Sequence, residues 1–499
     1  TGPAPTSPLT PLLRQSPTTH EATCPPVGPG CCRTASDASR AQLVRATTIA
    51  ASAGTTHTRV RICPPSVWQR CTPLQVGGNG RSPSRRETGG GARAAGAYRT
   101  VVLFRSWEGA VDRTWPAVTT VPDHRGVTHV LVCGHAEVKR VLADQETFRP
   151  DNALDAMTPI PVAALRILAS HGFRLPPTLA NTGGHSHPAI RGIVAESLHP
   201  HRVEERRPWL TGLVRRRVAG LAARLRAGEP VDLYADLAAD LPLQVLARLV
   251  ELPDSDVTVV KEFSRAALEL FWAPLDPDRQ NVLADIVGRY HAVLRAYARE
   301  AGGMVGKLRE HAAQTGLSED VVVAALFFLL VAGQETTSQF LTLLLHRLAH
   351  EPEVLAGLAR GDVEVADVVE EGLRLAPPIV TWRRVAARDT ALAGVPVSAG
   401  TSVILWLARA ARDPAVTAEP DRFRPGQPGS RRHLAFGAGA HRCLGAQLSR
   451  MEASVVVAET APLLRDVAVV RAPWCPDNLS FRMPDAFIVA RRAVAPAPA

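Results

Sequence analysis

The chain has 499 residues, 46% of them hydrophobic and 21% charged, with 37 Gly, 41 Pro and 8 Cys; that supplies a large enzyme-sized core and excludes a wholly disordered protein. Its net charge of +10 is unevenly placed: residues 1–97 hold 11 Arg, no Lys and three acids, and the remaining 402 hold 46 basic and 44 acidic side chains, so the main body gives no charge argument for nucleic-acid binding. The longest apolar run, Val321–Gly333, is shorter than the ~18–20 residues of a membrane span, and no charged start leads into an apolar stretch, so a cytoplasmic protein without membrane attachment is expected.

Residues 1–97 are rich in Pro, Thr, Ser, Gly and Arg with no sustained period, and they read as a low-complexity leader or an upstream stretch outside the fold. Five of the eight cysteines lie there (Cys24, Cys31, Cys32, Cys63 and Cys71), without a CxxC pair or a zinc-like His spacing. The folded part is expected over 98–499. Thr128–Cys133 reads as a strand and Ala136–Leu142 as a helix. Amphipathic helical stretches follow at about 188–198, 203–226, 232–251, 257–270, 278–312 and 319–350. Short strands are expected in Arg384–Pro396 and Thr401–Leu407, broken by Gly394 and Gly400, and again in Asn478–Ala490. This is a mainly α chain with a minor β portion, and it lacks the βαβ alternation of a doubly wound nucleotide fold.

The sharpest local feature is Phe436-Gly-Ala-Gly-Ala-His-Arg-Cys-Leu-Gly445, followed by a helix over Ala446–Glu459. Its three glycines permit positive φ and close backbone approach to something flat and bulky. Cys443, at a helix N-terminus beside Arg442 and His441, is expected to be biased toward thiolate by nearby positive charge. A shielded thiolate in a loop of backbone N–H groups is what an axial haem ligand requires. A lone Cys among glycines reads more readily as an inert buried thiol; the ten-residue pattern outweighs that reading. A second feature is Ala332-Gly-Gln-Glu-Thr-Thr337, inside the apolar helix opened by Ser318-Glu-Asp320. A Gly beside an acid–alcohol pair is locally unfavourable in such a helix and points to function. Gly333 removes a side chain where a small molecule could sit, and Thr336 can bond back to the Ala332 carbonyl or turn toward a ligand. Glu371-Gly-Leu-Arg374, an i, i+3 acid–base pair, is weak by itself.

The cysteine segment resembles, without a departure, the haem-binding signature of the cytochrome P450 family, and further motifs follow the family's order over roughly 100–495. The resemblance implies a P450-type helical fold enclosing a haem b, with Cys443 as the proximal ligand of the iron and Phe436, Gly437 and Gly445 as cofactor-binding residues of its loop. It implies that Gly333, Glu335 and Thr336 form the oxygen-activating groove, with Thr336 and Glu335 delivering protons. Glu371 and Arg374 would lock the core, with Pro420-Asp-Arg-Phe423 completing the lock. His187, Arg191, Arg384 and His441 would bind the haem propionates, with His185 competing with His187 and Arg383 with Arg384. Arg431, Arg432, Arg442 and Arg450 flank the cysteine loop and read either as a solvated basic face or as a docking face for a ferredoxin-type electron donor served by its own reductase.

The implied activity is a monooxygenase that inserts one atom of dioxygen into a hydrophobic organic substrate, such as a natural-product intermediate, with electrons from a separate partner. The composition resembles that of actinobacterial members. The segments expected over the haem are Leu326–Gly333, Ile379–Trp382 and Leu479–Met483. Two other readings compete, one an enzyme on the same scaffold and one a non-catalytic haem protein. A peroxygenase driven by hydrogen peroxide is disfavoured by the intact Glu335-Thr336 pair. A non-catalytic haem sensor or carrier would show no substrate-dependent electron consumption. A zinc-binding reading of His441 and Cys443 is removed by a haem assay.

Overall fold

A computed structural model of the chain describes residues 115–492, apart from residues 124, 185 and 252–256. The expected leader over 1–97 and the candidate His185 lie outside the described residues.

The N-terminal part of this region is a hairpin of β1 (Val118–Pro122) and β2 (Thr128–Val132), then α1 (His135–Ala143), β3 (Phe148–Arg149) and α2 (Val162–Ser170). Helices α3 (Ser186–Ser197), α4 (Pro200–Glu204) and α5 (Arg207–Arg226) follow, then β4 (Val231–Asp232) and α6 (Leu241–Val250). Next come α7 (Val257–Trp272), α8 (Pro277–Glu300), α9 (Gly303–Thr315) and α10 (Asp320–Leu348). Beyond α11 (Pro352–Arg360) and α12 (Val365–Leu375) lie β5 (Trp382–Ala386), β6 (Thr390–Leu392), β7 (Val395–Val397), β8 (Ser402–Leu405) and α13 (Leu407–Ala410). The last elements are α14 (Ala446–Leu464), β9 (Val467–Arg471) and β10 (Ile488–Arg491).

The mainly helical expectation holds, and the differences lie at breaks. The stretch 203–226 divides into α4 and α5, where Pro208 has to occupy the first turn of a new helix. The stretch 232–251 opens with a strand and a π-turn over Tyr234–Ala238 before α6; the Asp232 carboxylate accepts from the Tyr234 and Phe487 amides and so ties this bend to the C-terminal segment. The stretch 278–312 breaks at Ala301, whose extended backbone ends α8. Of Asn478–Ala490, only the end is strand: Asn478 bonds the Ser480 and Phe481 amides and holds an irregular turn there.

A five-stranded sheet has the order β1-β2-β8-β5-β3, with β2 and β8 parallel and the other pairs antiparallel. It packs its own apolar cluster of Val130, Val132, Phe148, Val403 and Leu405. The helical core is organised by α10, which is apolar nearly all round, as a helix packed on every side must be. Among the described residues it is the one helix long and apolar enough to cross a membrane, yet 72% of its most apolar window is covered by the protein itself.

One ion pair joins the helical core to the segment entering the cysteine loop. Glu371 and Arg374 on α12 are 0% and 1% exposed and form two parallel hydrogen bonds of 2.8 Å. The remaining Arg374 protons go to the carbonyls of Ala411 (3.3 Å), Pro420 (2.6 Å) and Arg422 (3.0 Å). The Glu371 carboxylate also accepts from the Arg424 amide, Gln427 Nε2 and the Ser430 hydroxyl. Burial pushes that carboxyl upward, but these donors outweigh it and hold it below its ordinary range. The Pro420–Phe423 segment completes the lock through backbone carbonyls, since the Arg422 side chain turns outward to Glu419. Arg374→Met, which leaves Glu371 buried without its cation, should destabilise the fold by about 3–5 kcal/mol, measured as a lowered denaturation midpoint.

Candidate active site

The loop between α13 and α14 delivers Cys443 through a backbone that needs its glycines. Gly437 (φ +64°) and Gly439 (φ +71°) both adopt left-handed conformations. A Cβ on Gly439 would collide with the Leu142 carbonyl oxygen of α1, whereas one on Gly437 would meet nothing within 4 Å. The Cys443 amide donates to the Phe436 carbonyl at 2.9 Å, which closes the loop, and the Gly445 amide donates to the sulfur. Cys443 is exposed on the wall of the cavity; desolvation raises its thiol, and Arg191, Arg442 and Arg450 lower it by less. The expected bias toward thiolate is therefore overturned for the protein alone, because desolvation of the anion exceeds the attraction of nearby cations. A directly bound metal cation is what would reverse that balance.

The space at Cys443, its open mouth included, measures about 1400 Å³. Its apolar wall includes Leu246, Phe328, Leu329, Ile379 and Trp382, and Phe436, Gly437 and Gly445 line it beside the sulfur. The expected segment Leu479–Met483 is not on this wall. Phe481 instead backs it, bridging Ile379 and meeting the rings of Trp272 (5.0 Å) and Trp382 (6.2 Å).

Arg191, Arg384 and His441 line the same cavity. Arg384 is 1% exposed, donates to the Arg383 carbonyl and leaves its buried Nε without a partner; desolvation pushes it down to about 10. Arg383 turns the other way, to the Ala153 and Asp155 carbonyls. His441 donates Nε2–H to the Thr182 carbonyl at 3.0 Å, which leaves Nδ1 buried and unpartnered. His187 stacks on it with ring centroids 4.3 Å apart, and its own buried Nε2 is unpartnered. Burial lowers both rings, His441 to about 4. At neutral pH the four expected anion binders therefore comprise two cations and two neutral imidazoles. A sulfur on the wall of an apolar cavity, with unsatisfied guanidinium and imidazole nitrogens beside it, fits an iron porphyrin carrying acidic side chains. No three His, Cys, Asp or Glu side chains converge as metal ligands among the described residues, so the zinc reading lacks a ligand set.

Helix α10 presents Ala332, Gly333, Thr336 and Thr337 to the cavity. Thr336 donates its hydroxyl proton back to the Ala332 carbonyl at 2.7 Å. The space next to Gly333 is taken by Leu246, 3.1 Å from where a Cβ would stand. Glu335 is fully buried but faces α7 instead of the cavity. It pairs there with Lys261 and, at 3.8 Å, with Arg265, and it also accepts from Gln334 and Gln339. Sequence reasoning missed Lys261 and Arg265, and their i, i+4 spacing on one helix was the available signal. The basic face is smaller than expected: Arg431 pairs with Asp367 and Arg450 with Glu370, while Arg432 and Arg442 are exposed.

Comparison with known proteins agrees with this geometry. A family model described as cytochrome P450 matches residues 365–460. The chain is 31% identical over 348 residues to an erythromycin C-12 hydroxylase of Saccharopolyspora erythraea, covering 68% of this chain and 82% of that protein. It is 34% identical over 292 residues to a 20-oxo-5-O-mycaminosyltylactone 23-monooxygenase of Streptomyces fradiae, covering 57% and 68%. Among solved structures, cytochrome P450 CREJ in complex with (4-ethylphenyl) dihydrogen phosphate superimposes with a TM-score of 0.72 at 26% identity, covering 79% of this chain and 99% of that one.

The two loop glycines differ in what surrounds them. Gly437→Ala should cost about 1–2 kcal/mol for its left-handed backbone, and Gly439→Ala should cost more, because its methyl group also meets a backbone oxygen. Parallel thermal unfolding of the two variants measures the difference.

Proposed function

The chain belongs to the cytochrome P450 family and is a haem-thiolate monooxygenase, and from that premise we propose that Cys443 would bind the iron of a haem b held in the cavity it lines. The observation that carries this reading is that the Cys443 sulfur and the Thr336 hydroxyl share one apolar cavity. Arg384 and Arg191 supply the positive charge for the propionates, and His441 offers Nδ1, with His187 stacked behind it to fix its plane. The catalytic unit is assigned to residues 98–499, working in the cytoplasm.

A haem bound there supplies the redox chemistry that places one atom of dioxygen into the substrate and releases the other as water. The loop amides and the apolar wall shield the sulfur from water. Burial holds the Lys261 ammonium below its ordinary range, so the Lys261–Glu335 pair is a place where a proton can be held and passed. Lys261 is 12% exposed and Glu335 not at all, which makes the lysine the solvent-side member. Thr336 carries the hydroxyl that reaches the cavity, and its bond to Ala332 holds that proton until the side chain rotates.

The substrate is proposed to be a bulky hydrophobic natural product of the macrolide kind. The apolar wall and the names of the two macrolide-modifying relatives support this class. The electron donor is proposed to be a ferredoxin type, approaching the face that carries Arg432 and Arg442.

The reduced, carbon-monoxide-bound difference spectrum tests the ligand. A thiolate-type Soret band is expected from the parent protein and none from Cys443→Ala; its absence from the fully haem-loaded parent would overturn the assignment. Thr336→Ala should still consume electrons and dioxygen, with product formed per electron pair falling by about 100-fold, read by comparing oxygen uptake with product.

A further inference from the structure

Next to the cysteine loop lies a second, partly buried charge cluster, distinct from the Glu371–Arg374 lock although it begins at the neighbouring residue. Glu370 on α12 is 4% exposed. It receives Arg450 of α14 in a two-pronged ion pair, Nε to Oε1 at 2.5 Å and Nη2 to Oε2 at 3.1 Å. It also receives His433 Nε2 at 3.1 Å. The His433 Nδ1 accepts the Ala435 amide at 3.2 Å, so the ring proton sits on Nε2 and is donated to Glu370. Both partners then meet Phe436, the first residue of the cysteine loop. The Arg450 guanidinium lies 4.6 Å from the Phe436 ring centroid, and the His433 ring lies 5.9 Å from it.

These contacts form a continuous path to the sulfur. Glu370 fixes Arg450 and His433, those two fix Phe436, and the Phe436 carbonyl receives the Cys443 amide. The path is also electrostatic, because the Arg450 guanidinium lies on the ring of the residue whose carbonyl receives the Cys443 amide. Glu370 neutralises that charge at close range. A guanidinium with a partner carboxylate in a poorly solvated site exerts a much smaller field than an unpaired one.

We infer that Glu370 is a positioning residue for the haem ligand: it holds Arg450 and His433 against Phe436 and balances the Arg450 charge, setting both the geometry of the Cys443 loop and the reduction potential of the metal bound there. This rests on Cys443 being the haem ligand, and it adds Glu370, Arg450 and His433 to the working parts of the site. It also reassigns Arg450 from a donor-docking face to the support of the loop.

The test is spectroelectrochemical, on full-length haem-loaded protein at neutral pH and matched haem content. Four proteins are compared: the parent, Glu370→Gln, Arg450→Gln and the double variant. Glu370→Gln is expected to shift the potential upward, because an unbalanced Arg450 cation favours the reduced iron. Arg450→Gln is expected to shift it downward, and the double variant to return close to the parent. A support role without charge balance would move both single variants in the same direction, and that result, or no shift in either, overturns the inference. Glu370→Asp keeps the charge on a shorter stem and is expected to hold the parental potential; a shift like that of Glu370→Gln counts against the inference. If Glu370→Gln takes up no haem, the Arg450→Gln and Glu370→Asp arms decide by the same signs. A parent lacking the thiolate-type carbon monoxide band would instead overturn the ligand assignment underneath.

Discussion

The structure depends on the buried ion pair between Glu371 and Arg374. Neither residue touches the candidate cofactor cavity, yet the pair organises the chain that leads to it. Arg374 collects three carbonyls between Ala411 and Arg422, and Glu371 collects donors from Arg424 to Ser430. That stretch has almost no regular secondary structure, so helix and sheet ladders cannot hold it. Two fully desolvated, fully hydrogen-bonded charges do so instead. Such a pair adds little net stability over an apolar replacement, but it is costly to break from one side. Its value is in fixing one path for an irregular segment that ends at the cysteine loop.

The parts of the site that were legible in the sequence are those whose chemistry demands an unusual local pattern. Gly437 and Gly439 could be read because the backbone there takes positive φ, and Gly439 must also leave room for the Leu142 carbonyl, whereas Gly445 keeps an ordinary negative φ. Gly333, Glu335 and Thr336 could be read because such residues disfavour the apolar helix that contains them. The pairing of Glu335 was legible only as the spacing of Lys261 and Arg265 on another helix, since packing alone brings them to it. Helix breaks at Pro208 and Ala301 were passed over because the apolar period runs on across them, while proline geometry and one extended residue stop the hydrogen-bond ladder.

The charge state of the site was the least legible property. A sequence shows that cationic residues neighbour Cys443; it does not show how far water is excluded. Around the cavity, exclusion wins repeatedly. His441 is pushed down to about 4, Arg384 down to about 10, and Cys443 upward despite three arginines. On α14, Glu452 has no hydrogen-bond partner for either oxygen among the described residues, and burial pushes it up to about 8, so it is a neutral acid at physiological pH. Where full hydrogen bonding is provided, as at Glu370, the outcome reverses and the carboxyl falls to about 2. The decisive quantity is the number of donors that reach the charge after water has left.

The cavity also has a consequence for how the protein is made. A cavity walled by leucine, phenylalanine, isoleucine and tryptophan side chains lacks on its inner side the contacts that a filled interior would supply. A group that fills it binds the folded chain and not the unfolded one, so stability follows mass action: free cofactor at 100 times its dissociation constant adds about 2.7 kcal/mol. The fraction of folded product obtained from a host cell therefore depends on that cell's supply of cofactor during synthesis, and a shortage of porphyrin is felt as a folding defect.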